Sequence, residues 1–104
     1  MNNSQQEKMM IISAPCWQCD KEMLIALIGD DNGNMDYGPE KFSQKEIELA
    51  EKNGVLIKKV TSKTANETYL ANVCSDCGTF VGQWFYFANY YSEALYGRLK
   101  YKRV

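Results

Sequence analysis

A chain of 104 residues with 45% hydrophobic side chains is sized for one domain with a core, which excludes a wholly disordered chain. Twelve basic residues against 13 acidic ones give a net charge of -1, which excludes the strongly basic balance of a non-specific nucleic-acid binder. The apolar run at 9–14 is too short for a signal peptide or a membrane span, so a cytoplasmic protein with no membrane partner is expected.

The polar residues 1–8 read as a disordered leader, followed by one domain over 9–104. The run 9–14 is predicted to be a strand entering the first cysteine pair, and 23–28 is a second apolar run leaving it. If that second run is also a strand, Cys16 and Cys19 sit at the tip of a hairpin. Residues 29–39 hold three glycines and Pro39 among Asp and Asn and read as a loop. Its Asp30, Asp31, Asn34 and Asp36 do not have the spacing of a calcium-binding EF-hand, which leaves them as a solvated loop.

Ser43 and Glu46 form a capping box, and Asn53-Gly54 is a helix stop, so 43–53 is predicted to be a short helical insertion. The β-rich runs 55–61 and 68–73 are predicted to pair as a hairpin, with Tyr69, Ala71 and Val73 on one face. The aromatic run 79–87 reads as a further strand, with Val81, Phe85 and Phe87 on one face and Phe80, Trp84 and Tyr86 on the other. A short helix is expected within 90–101, started by Asn89 or Ser92 and interrupted near Gly97, with a basic tail at 98–104. The fold class is therefore α+β, mainly β.

Charge is uneven along the chain. Residues 20–52 carry nine acids and four lysines, whereas Arg98, Lys100, Lys102 and Arg103 follow the last acid, Glu93. The basic end, with Tyr96 and Tyr101, suits contact with phosphates and stacking of bases; the alternative is a solvated terminus.

The chemistry concentrates in the four cysteines. Cys16-Trp17-Gln18-Cys19 and Cys74-Ser75-Asp76-Cys77-Gly78 are two pairs at identical spacing. In a reducing compartment such pairs read as metal ligands or redox groups rather than as stable disulfides. One tight turn with two intervening residues brings both sulfurs to one ion, and a second turn completes a tetrahedral zinc shell of Cys16, Cys19, Cys74 and Cys77. Residues 20–73 lie between the pairs, but loop-closure entropy grows only logarithmically, so a threefold longer loop costs about 1 kcal/mol. Four thiolates serve iron equally well, and a dithiol redox role for Cys16 and Cys19 or burial as small apolar residues are the remaining readings.

The order strand, cysteine pair, strand, insertion, strand, cysteine pair with Gly78, strand resembles a zinc ribbon. The resemblance spans about 10–87 and rests on the two cysteine pairs and the glycine. It implies two knuckles closing on one structural ion and carries over no activity.

No histidine is present, which removes the commonest general base, and a closed four-cysteine shell leaves no position for water. A non-enzymatic protein is expected. Two roles follow: a protein-binding adaptor or inhibitor that presents some of its aromatic cluster to a protein partner, or a nucleic-acid-binding module using Arg98, Lys100, Tyr101, Lys102 and Arg103. Most of the cluster Trp84, Phe85, Tyr86, Phe87, Tyr90 and Tyr91 is expected in the core.

Overall fold

The computed structural model describes residues 9–62 and 66–104. The leader expected over 1–8 lies outside the described residues, as do 63–65 and the side chains of Ser62 and Trp84.

Strands β1 (Met9–Pro15) and β2 (Glu22–Gly29) form an antiparallel hairpin in continuous register from Met9↔Ile28 to Pro15↔Glu22. Both strands are apolar on both faces, because both faces are covered. On one side Met10, Ile12, Ala14, Met23, Ile25 and Leu27 join a core with Tyr86, Tyr90, Tyr91 and Ala94. On the other, Met9, Ile11, Ala26 and Ile28 pack with Phe42, Ala50, Val55 and Ile57. Two edge strands complete an antiparallel sheet in the order β3-β2-β1-β6, with β3 at Met35–Tyr37 and β6 at Lys100–Arg103.

The helix expected over 43–53 is α1 (Gln44–Lys52). Ser43 accepts from the Glu46 N–H and the Glu46 carboxylate accepts from the Ser43 N–H, so both halves of the capping box are made. A second sheet is the hairpin of β4 (Ile57–Ser62) with β5 (Glu67–Asn72). Beyond the apolar packing of Ile57, it is hydrogen-bonded to the larger sheet by Asn72: the Ala26 N–H donates to Asn72 Oδ1 at 2.9 Å, and Asn72 Nδ2 donates to the Ala26 carbonyl at 3.1 Å.

Three expectations are corrected. The strand expected over 79–87 is reduced to a bridge of Phe80 with Val73; the chain then coils through a 3-10 turn (Gln83–Phe85), a π-helical turn (Phe87–Tyr91) and α2 (Ser92–Leu95). The composition favours strand, but Tyr86, Tyr90 and Ala94 recur at helical spacing and all three are buried, so the burial period wins over intrinsic preference. The helix expected within 90–101 is found as α2 and breaks at Gly97 as expected, where a φ of 82° turns the chain back, but helical turns already run from Gln83, so neither Asn89 nor Ser92 starts it. Residues 100–103 of the expected basic tail are β6, paired with β1 from Met10↔Arg103 to Ser13↔Lys100.

The loop expected over 29–39 contains β3. Asp30 and Asp31 are used internally: Asp30 Oδ1 accepts from the N–H groups of Asn32 and Asn34, and Arg103 binds the Gly29 carbonyl and Asp31. Among the described residues no helix is long and apolar enough to cross a membrane.

Candidate metal centre

The β1–β2 register stops at Pro15↔Glu22, so residues 16–21 form the tip of the hairpin and carry Cys16 and Cys19. The second pair leaves β5 after Asn72 and returns through the Val73↔Phe80 bridge. The two turns are built alike. Cys16 N–H donates to the Lys21 carbonyl at 2.7 Å and Cys74 N–H to the Thr79 carbonyl at 2.8 Å. Asp20 N–H donates to the Cys16 carbonyl and Gly78 N–H to the Cys74 carbonyl, both at 2.9 Å. The residue after each pair is left-handed, Asp20 at φ 67° and Gly78 at φ 79°. Asp20 is thus the first turn's counterpart of Gly78, and aligning Cys-x-x-Cys-Asp on Cys-x-x-Cys-Gly reveals it in the sequence.

All four sulfurs lie within 4.8 Å of one another, and this tight group is able to hold a metal ion. Two separations between the turns are 3.6 Å for Cys16 and Cys77 and 3.7 Å for Cys19 and Cys74. Metal–sulfur bonds of about 2.3 Å in a tetrahedron require sulfur–sulfur edges of about 3.8 Å, close to these separations. A disulfide needs about 2.05 Å, and all four cysteines are free. Cys16 and Cys74 are buried, and Cys77 lies at the exposed side.

The ionisation of the cysteines is coupled within the cluster. Burial opposes ionisation of Cys16, but the N–H groups of Cys19 and Gln18 and the thiols of Cys77 and Cys19 outweigh it and draw its pKa down to about 7. For Cys19 the Lys21 N–H favours the thiolate, yet burial and the three neighbouring sulfurs prevail and push it up to about 12. Cys77 follows the same pattern: the Thr79 N–H favours its thiolate, and burial together with Cys16 and Cys74 raises its pKa. A thiolate at Cys16 thus disfavours ionisation of Cys19 and Cys77, and a cation among the sulfurs would favour their thiolate forms.

Sequence reasoning missed two supports of the site. The indole Nε1–H of Trp17 donates to the Phe80 carbonyl at 3.1 Å, tying the first turn to the strand leaving the second. Asn72, just before Val73 and Cys74, accepts at its carbonyl from Val81 N–H and donates its own N–H to the Tyr86 hydroxyl. Neither residue carries a spacing signal, since each acts on a segment distant in the chain.

The structure does not gather Arg98, Lys100, Tyr101, Lys102 and Arg103 into one patch. Arg98 pairs with Glu93 and lies over the Tyr96 ring, and Arg103 lies over Tyr101 while binding Asp31. Alternation along β6 places Lys100 and Lys102 on one face, Tyr101 and Arg103 on the other. In the aromatic cluster Tyr86, Tyr90 and Tyr91 are buried, whereas Phe85 and Phe87 are about half exposed, at 55% and 50%. No protein-family model, curated protein or solved structure matches the chain.

Proposed function

We propose that Cys16, Cys19, Cys74 and Cys77 hold one structural zinc ion in a zinc-ribbon-like site, and that the chain is a non-enzymatic protein-binding adaptor or inhibitor. The observation that carries the metal reading is the pair of equivalent turns, which gather four sulfurs within 4.8 Å of one another. Iron has the same ligand preferences, and elemental analysis separates the two metals. A dithiol redox role for Cys16 and Cys19 accounts for only half of the cluster.

The adaptor reading rests on what the fold leaves outside. Trp17, Phe85, Phe87 and Tyr96 are exposed, outside a core built largely of Tyr, Phe, Met, Ile, Leu, Val and Ala, and aromatic residues of this kind anchor protein interfaces. The nucleic-acid reading draws on Tyr96 and Tyr101 beside arginines, but both arginines are engaged by carboxylates of the same chain.

Protein purified without added metal is expected to contain about one equivalent of zinc. Cys74→Ser is expected to lose the metal together with its dispersed tertiary signals, and a strong chelator to do the same reversibly. A metal-free native chain that keeps its spectrum and melting behaviour, with four reactive thiols, overturns the zinc reading. For the adaptor reading, exchanging Phe85 and Phe87 for serine is expected to abolish capture of a partner while zinc content is unchanged; undiminished capture overturns that use of the aromatics.

A further inference from the structure

β6 is an edge strand, and its register shows which backbone groups it offers. Val104 N–H donates to the Met9 carbonyl at 3.0 Å, which makes residues 9 and 104 a hydrogen-bonded pair. Such pairs alternate in antiparallel sheets, so Lys102 and Lys100 also bond to β1, and the N–H and C=O of Tyr101 point away from it. Among the described residues no strand lies beyond β6. The strand is cationic, and neither Lys100 nor Lys102 has an ion-pair partner among the described residues. Both are exposed and, two residues apart, project on the same face.

We propose that β6 receives an extended acidic peptide of a protein partner as a fifth strand, with carboxylates at alternate positions facing Lys100 and Lys102 and an apolar side chain beside Tyr101. The inference rests on the adaptor reading and names the partner's chemistry. Charge selects the occupant. A second copy docking β6 against β6 would set lysines against lysines, which edge strands use to prevent self-pairing. A peptide backbone also matches the outward N–H and C=O of Tyr101, which a phosphodiester chain cannot pair in register.

The test uses the native zinc-loaded chain and a labelled peptide of alternating glutamate and valine, followed by fluorescence anisotropy at about 50 and 200 mM salt. Binding that weakens with salt is expected, with a loss of about tenfold on reversing Lys100→Glu and Lys102→Glu together. Of the backbone groups, Tyr101→Pro removes an N–H that β1 does not use, and like Tyr101→Val it also removes the ring that lies under Arg103, so the two variants are expected to keep zinc and to melt alike while only Tyr101→Pro loses the peptide. Tyr101→Val, which retains that N–H, is expected to bind. Methylating the peptide's backbone nitrogens in one alternate set is expected to abolish binding and in the other set to spare it. This arm needs no variant and decides the matter if Tyr101→Pro fails to fold.

Equal binding of both methylated peptides, or none of the unmodified one, overturns the proposal. So does tighter binding of a single-stranded oligonucleotide of equal charge. A protein partner held equally well by the native chain and Tyr101→Pro, but lost with Phe85 and Phe87, keeps the adaptor reading and overturns the β6 assignment alone.

Discussion

Asn72 faces Ala26 with both ends of its amide, accepting from the Ala26 N–H and donating to its carbonyl as a neighbouring strand would. Asn72 is fully buried, and the two groups it satisfies sit in the middle of β2. Asn72→Leu therefore leaves a buried donor and a buried acceptor unpaired, and a loss of about 2–5 kcal/mol is expected in urea unfolding of the zinc-loaded protein. A loss under about 1 kcal/mol would show that the amide does not join the two sheets.

The left-handed residues after the cysteine pairs give a reciprocal pair of variants. A Cβ at Gly78 meets no atom within 4 Å, so Gly78→Ala changes backbone preference alone and is expected to cost about 1–2 kcal/mol. Asp20→Gly relieves the same strain in the first turn and should gain up to about 1 kcal/mol, less the extra freedom given to the unfolded chain. Thermal melts at fixed zinc concentration measure both.

Trp17 ties the two turns together from outside the cysteine cluster. Trp17→Phe removes the donor to the Phe80 carbonyl while leaving four thiolates in place. Zinc stoichiometry is expected to stay at about one, with transfer to a chromogenic chelator several-fold faster. An unchanged transfer rate would make the hydrogen bond incidental to metal retention.

High pH should unfold the protein through its tyrosines. The bond to Glu46 pushes Tyr37 up to about 12, with burial adding to it, and burial raises Tyr86, Tyr90 and Tyr91 above their ordinary value. Each holds its proton more tightly folded than unfolded. The stabilisation is therefore complete below the unfolded value near 10 and is lost as pH rises through it toward the folded values. Tyrosinate absorbance is expected to rise together with loss of tertiary signal, and Tyr37→Phe to lessen the pH dependence between 10 and 12. Ionisation of all tyrosines near pH 10 in a chain that stays folded would contradict it.

Local signals were the legible ones. The capping box of Ser43 and Glu46 and the cysteine spacing are each complete within a few residues, and the structure makes the box and gathers the four cysteines into one cluster. The aromatic segment misled because its residues prefer strands one at a time, while the tyrosine spacing that buries them is helical. β6 escaped notice because a polar edge strand has no apolar alternation, and it exists only through its register with β1. Asn72 looked like any strand residue until a second sheet placed Ala26 opposite it.

The cysteine turns ride on separate hairpins, one on β1–β2 and the other following β4–β5, and this sets an order of assembly. Each hairpin closes through contacts near in sequence and can form early, whereas joining them brings together segments more than forty residues apart, as Ala26 and Asn72 are. A single turn offers an ion only two sulfurs, so each hairpin alone would be a weak half-site, and tight uptake of the proposed ion would begin when they meet. Metal capture would then mark the moment of docking, and refolding in excess zinc would quicken only if that encounter, rather than hairpin closure, is the slow step.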